Sequence, residues 1–166
     1  MYEKSIELLN TAVADEFTAI HQCMYFHFHF DDQGIELLSA LFKRTAIEEM
    51  QHVERIADRI LYLKGDVIME ANAKVQQIRD IPGMLEWATN SETAAIKMYN
   101  QFALECGANA DTATKKLFED LVMDEERHFG QYDDEVDNIE RFGESYLAQQ
   151  AMERSKAKTG PAGGGA

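Results

Sequence analysis

Apolar residues recur along this chain in steps of three and four, the spacing of helices that bury one face. The first such stretch runs from Glu3 to Phe30, with Ile6, Leu9, Val13, Glu16, Ile20, Cys23, His27 and Phe30 on its inward stripe. The second runs from Ile35 to Lys64 and turns Leu38, Phe42, Thr45, Glu49, His52, Ile56, Ile60 and Leu63 inward. A third begins near Pro82, a residue suited to a first helical position. It carries Leu85, Ala88, Glu92, Ala95, Tyr99, Phe102 and Cys106 on one face. The fourth begins at a candidate N-cap, Asp111, and aligns Phe118, Leu121, Glu125, His128, Tyr132, Val136 and Ile139. A shorter helix follows Gly143, from Glu144 to Lys156. Glycine and proline are sparse before the C-terminal tail, so the pattern predicts an all-α fold with four long helices.

The polar residues that interrupt these stripes form a repeat. Glu16 precedes Glu49 by 33 residues, and Glu92 precedes Glu125 by 33. Each second glutamate opens a Glu-x-x-His motif, Glu49 to His52 and Glu125 to His128. A shift of 76 residues carries the first set onto the second, type for type. Glu-x-x-His puts both side chains on one helix face, a turn apart. Buried carboxylates are costly unless paired or metal-bound. Two Glu-x-x-His motifs and two single glutamates are the ligand set of a carboxylate-bridged di-iron centre in a four-helix bundle. The candidate ligands are therefore Glu16, Glu49, His52, Glu92, Glu125 and His128, with Glu49 and Glu125 as the natural bridges. Four glutamates balance two divalent ions in charge, and mixed carboxylate and imidazole donors suit iron(II) or manganese(II).

The turns agree with this spacing. Antiparallel neighbours share a height when they are equidistant from their turn. The midpoint of 16 and 49 falls in Asp31-Asp32-Gln33-Gly34, and that of 92 and 125 in Gly107-Ala108-Asn109-Ala110. Each ligand glutamate is then about 25 Å from its turn. The connection from Gly65 to Ile81 is long enough to travel the bundle. Inverted hairpins need about 37 Å, and seventeen extended residues reach about 55 Å. A crossover and a ferritin-like arrangement are predicted.

Length and charge narrow the picture further. One domain is expected in 166 residues, with the bundle over 1–147 and a short helix and flexible tail over 148–166. Two cysteines exclude a disulfide framework. The N-terminus does not read as a signal peptide, and no apolar run is long enough to span a bilayer, so the expected compartment is the cytoplasm. The net charge of −14 argues against broad nucleic-acid contact and for cationic partners. A basic patch at Arg154, Lys156 and Lys158 is too small to make DNA an expected partner.

The stretch Glu49-Met50-Gln51-His52-Val53-Glu54-Arg55-Ile56, continuing to Gly65, resembles helix B of bacterioferritin. Val13-Ala14-Asp15-Glu16-Phe17-Thr18-Ala19-Ile20 resembles its helix A motif, and Asp124-Glu125-Glu126-Arg127-His128 its helix D motif. Within the ferritin-like superfamily the chain looks most like the Dps-like ferritins, or thioferritins, which keep a bacterioferritin-type centre inside each bundle but assemble as dodecamers. That resemblance implies a ferroxidase. It would oxidise Fe(II) with hydrogen peroxide or oxygen and store the ferric product in a hollow homo-oligomer, twelve subunits being favoured over the twenty-four of bacterioferritins. Met50 falls where bacterioferritin carries its axial haem ligand. Flexible methionine also suits a subunit contact, and haem is not expected. Cys23 occupies a position that is usually tyrosine in bacterioferritin. It reads as a core residue or a redox-active thiol, and Cys106 lies toward the other end of the bundle, which speaks against a disulfide. His27 and His29 read as packing residues, and Tyr99 as packing or as support for the metal site. The alternatives on the same scaffold are a rubrerythrin-like peroxidase or a di-manganese catalase. Paired Cys-x-x-Cys motifs of a rubredoxin domain are absent from the sequence.

Overall fold

The computed structural model describes residues 2–159. Helix α1 spans Glu3–Asp32, α2 Glu36–Tyr62, α3 Ile81–Ala108, α4 Thr112–Phe142 and α5 Glu144–Thr159. The described residues contain no strand. The fold is a ferritin-like four-helix bundle with a long α2–α3 crossover. Helix α5 extends three residues beyond its expected end and runs without a break through 147 and 148. The expected tail, apart from Thr159, lies outside the described residues.

Both hairpin turns close in the same way. After α1, the Gly34 N–H donates to the Asp31 carbonyl and the Ile35 N–H to that of Phe30, at 3.1 and 2.9 Å. After α3, the Ala110 N–H donates to Gly107 and the Asp111 N–H to Cys106, again at 3.1 and 2.9 Å. These bonds satisfy carbonyls left open at a helix end and require a left-handed residue. Gly34 supplies it at φ 77° and Ala110 at φ 58°. The 76-residue repeat thus extends to the turns. Asp80 and Asp111 cap α3 and α4, their side chains accepting from Gly83 N and Thr114 N.

The crossover runs along α1. Asn10 donates to the Asp66 carbonyl and accepts from Ile68 N. Thr18 Oγ1 accepts from Asn72 N and Ala73 N. The buried Gln22 donates to the Gln76 carbonyl at 2.9 Å and accepts from Gln76 N at 2.7 Å. Arg79 reaches Tyr25 and Gln33. The link therefore travels from the start of α1 to its end, about 34 Å of helix from residue 10 to 33. It delivers α3 to the end where α1 meets α2.

The apolar core is divided in two. One cluster, including Leu9, Ile56, Ile60, Ala103 and Phe118, fills the end at the α3–α4 turn. The other, including Phe26, Phe30, Leu38, Phe42, Leu85 and Tyr132, fills the end at the α1–α2 turn. All eight inward positions expected on α2 are buried. On α1, Ile6, Ile20 and His27 are only half-buried, and Phe26 takes the inward place expected of His27. Val136 and Ile139 are half-buried where α4 leaves the core.

Candidate metal centre

Between the two apolar clusters, each long helix contributes acid to one buried site. Glu16 comes from α1, Glu49 and His52 from α2, Glu92 from α3, and Glu125 and His128 from α4. None exposes more than 6% of its surface. They form two interlocked groups, Glu16–Glu49–His52–Glu125 and Glu49–Glu92–Glu125–His128, with the candidate ligand atoms of each group within 4.8 Å of one another. Glu49 and Glu125 belong to both groups, the position a bridging ligand must hold. The structure thus brings together all six residues singled out from the sequence.

The two halves mirror each other. His52 Nδ1 lies 2.7 Å from Glu49 Oε2, 3.2 Å from Glu125 Oε1 and 3.3 Å from Glu16 Oε1. His128 Nδ1 lies 2.9 Å from Glu125 Oε2, 3.3 Å from Glu49 Oε1 and 3.9 Å from Glu92 Oε1. The two imidazoles stack at 5.9 Å. His52 Nδ1 and Glu49 Oε2 are both fully buried, yet neither has a hydrogen-bond partner despite their proximity. Buried polar atoms left in this state are costly. Two such donor atoms aimed at one point fit a cation between them, and the carboxylate and imidazole set suits iron.

The protonation of the metal-free cluster follows from burial and crowding. Burial, reinforced by Glu49, pushes the Glu16 carboxyl well above its ordinary range. Burial and the neighbouring Glu49 and Glu125 do the same to Glu92. For Glu49 burial also favours the neutral form, but contacts with His128 and His52 outweigh it and hold the carboxyl at about 2. Burial disfavours charge on the imidazoles too, yet the facing carboxylates prevail. Glu125, Glu16 and Glu49 raise His52, and Glu125 and Glu49 raise His128 to about 11. Without metal the site is held together by protons, which a metal must displace.

Behind the imidazoles stand two acids to which the sequence reading gave no role. His128 Nε2 is 2.6 Å from Glu48 Oε2, and Arg127 reaches the same oxygen at 2.8 Å. His52 Nε2 is 3.3 Å from Asp124 Oδ2, which Arg55 holds at 2.9 Å. Glu48 and Asp124 are themselves related by the shift of 76, a signal available in the sequence. Tyr99 Oη donates to Glu16 Oε1 at 2.5 Å, so it touches a candidate ligand directly. Cys23 is buried with its Sγ 3.7 Å from Tyr132 Oη, and Cys106 lies in the other apolar cluster; both thiols are free. His27 Nδ1 is 2.9 Å from the Ser39 hydroxyl and ties α1 to α2. Met50 is 48% exposed on the outer face of α2.

Residues 6–142 match the family of ferritin-like domains. A bacterioferritin of Desulfovibrio desulfuricans is 36% identical over 160 residues, covering 96% of this chain and 89% of the relative. A bacterioferritin of Rhodobacter capsulatus is 33% identical over 144 residues, 84% of this chain and 87% of the relative. The crystal structure of the Desulfovibrio desulfuricans protein, described with its di-iron site in different catalytic states, superposes with a TM-score of 0.88 over 98% of this chain and 94% of that one. The chain belongs to the ferritin-like family, and the relatives it matches at this level are bacterioferritins.

Proposed function

We propose that this protein is a ferroxidase that stores iron. The observation that carries the reading is the pair of interlocked three-carboxylate, one-imidazole groups sharing Glu49 and Glu125. In this reading Glu16 and His52 complete one metal position, and Glu92 and His128 the other. Two irons held there would supply two electrons to one oxidant without releasing a radical. The chain's own contribution is to hold the pair at a fixed distance, to exclude bulk water with the apolar clusters on either side, and to give up its cluster protons on loading. Four acid groups and a net charge of −14 draw Fe(II) inward. Hydrogen peroxide and oxygen are the oxidants of this reading. A peroxidase or catalase on the same scaffold would turn over peroxide without retaining ferric product.

Storage requires a closed shell of copies. Ile47, Met50 and Leu61 are 45%, 48% and 55% exposed on α2. They fall within about 60° of arc at 100° per residue, an apolar stripe suited to a neighbouring copy. The Dps-like dodecamer remains one form of this reading. The similarity to bacterioferritins weighs toward the twenty-four-subunit form and thus against the thioferritin group. Met50 is read as part of the copy-to-copy contact, with haem as the alternative that its exposure keeps open and a pyridine haemochrome spectrum decides. DNA is not a partner in this reading, and Arg154 pairs with the Asp31 carbonyl and carboxylate. The reading places the protein in the cytoplasm, and no helix among the described residues is long and apolar enough to cross a membrane.

The test is anaerobic loading of the assembled protein with Fe(II), followed by oxygen or hydrogen peroxide in separate arms. Rapid growth of ferric absorbance, with iron retained through gel filtration, is expected. Continuous peroxide breakdown with no iron retained would move the protein to the peroxidase or catalase class.

A further inference from the structure

The two halves of the site share ligand types but not support. Glu48 Oε2 accepts a hydrogen bond from His128 Nε2 at 2.6 Å and is held in place by Arg127 at 2.8 Å. An Nε2–H committed in this way leaves the Nδ1 lone pair of His128 directed into the acid cluster, the tautomer a metal needs. On the other side Asp124 Oδ2 stands 3.3 Å from His52 Nε2 and makes no hydrogen bond to it. That oxygen is engaged by Arg55 at 2.9 Å, and the other oxygen of Asp124 by Arg127 at 3.3 Å. His52 therefore lacks the hydrogen bond that fixes its partner's ring.

The glutamates differ in the same sense. Tyr99 donates to Glu16 Oε1, an oxygen that also faces His52 at 3.3 Å, and so competes with a metal for that lone pair. The residue related to Tyr99 by the 76-residue shift is Cys23, whose thiol is turned to Tyr132. Glu92 has no tyrosine donor of this kind, and its carboxyl faces Glu125 and His128 instead.

Resting on the di-metal reading above, we infer that the two metal positions are unequal: the Glu92–His128 position fills first and binds more tightly than the Glu16–His52 position. Glu48, clamped by Arg127, is the positioning residue responsible. Removing an outer partner of a ligating histidine weakens metal affinity about 10- to 100-fold. The preordered side has such a partner, and the other does not.

The experiment is titration of the assembled, metal-free protein with cobalt(II), followed by visible absorbance and calorimetry. Two resolved steps about tenfold or more apart are expected for the wild type. Glu48→Ala should weaken the tighter step about 10- to 100-fold and change the visible spectrum of the first cobalt bound, with little effect on the weaker step. Glu48→Gln keeps an accepting oxygen and should restore part of that loss, as mere structural damage would not. Asp124→Ala should move either step no more than about threefold, because it removes no hydrogen bond to His52. Equal wild-type steps, or an Asp124→Ala loss as large as that of Glu48→Ala, would overturn the inequality and leave the metal site standing. No cobalt binding at all would remove the metal site itself.

Discussion

Glu49 and Glu125 each face both imidazoles, so either one is a single point at which the chemistry of the whole site can be cut. Glu49→Ala or Glu125→Ala should slow Fe(II) oxidation by more than about a hundredfold, beyond what an outer-shell substitution costs. Circular dichroism should be unchanged, since the mutation removes a buried acid from a crowded cluster. Stopped-flow absorbance checks the rate, and a wild-type rate in either variant would remove that residue from the bridge. The protons held by the metal-free cluster give a second test. Glu16 and Glu92 are raised above an ordinary value of 4.5, so their stabilisation is complete below about pH 4.5 and is lost as pH rises through their folded values. His128, raised from 6.5 to about 11, acts in the same direction, with stabilisation complete below 6.5 and lost through about 11. Glu49, lowered to about 2, acts oppositely, stabilising above 4.5 and losing that contribution as pH falls through about 2. The urea midpoint of the metal-free protein should therefore fall between about pH 5 and pH 8, while a zinc-loaded sample holds or gains stability as metal affinity rises with pH. Parallel curves for the two samples would mean that the cluster does not exchange protons for metal. The six acid and imidazole residues were legible in the sequence because charge on an inward stripe has few explanations and a repeat of 76 has fewer. Glu48 and Asp124 obey the same shift but were passed over, because a half-exposed acid beside a ligand looks like any surface acid until the ring nitrogen it faces is located.

At the level of elements, periodicity foretold the four long helices and both hairpin turns, because each stripe is long and each turn carries its own backbone signal. The crossover was legible only as a length. What fixes it to α1 is a series of polar side chains, Asn10, Thr18 and Gln22, standing on a face that reads as solvent-exposed helix. Side chains that serve as partners for an extended segment leave no periodic trace. His27 shows the complementary failure, since Phe26 takes the inward place while His27 turns its Nδ1 to the Ser39 hydroxyl. Gln22 is the most consequential of the clips, for it is buried and satisfies both the N–H and the carbonyl of Gln76. Gln22→Ala leaves those two groups unpaired and should destabilise the protein by about 1–3 kcal/mol. Urea unfolding measures the loss, and limited proteolysis should show faster cleavage between 66 and 80. Unchanged stability and cleavage would mean that the crossover is held by its ends alone. Because α3 supplies Glu92, a loosened crossover should also weaken metal binding at a distance from any ligand.

At the scale of the whole molecule, oxidation and storage have different requirements. The candidate metal site is complete within one chain, since the four long helices of a single bundle bring all six residues together. Its interior is filled by two apolar clusters and has no room for mineral. Storage must therefore depend on contacts between chains, and the exposed Ile47, Met50 and Leu61 stripe is where α2 has apolar surface to offer. A charge of −14 per chain opposes assembly unless apolar contact and bound cations offset it. A charge placed in that stripe should break the shell while leaving the site intact. Ile47→Glu is expected to convert an assembly of roughly 450 kDa, twenty-four chains of 18.9 kDa, into species of a few chains. The initial rate of Fe(II) oxidation per chain should stay within about twofold, because no ligand moves. The ferric product, with no cavity to receive it, should precipitate or pass through gel filtration free of protein. Native mass measurement and an iron assay on the protein fraction read both outcomes together. An assembly of roughly 230 kDa in the wild type would select the twelve-subunit form and leave the chemistry untouched. An Ile47→Glu protein that still retained mineral would show that the cavity is built on some other face of the bundle. A stable wild-type monomer would end the storage reading and leave a soluble di-metal oxidase in its place.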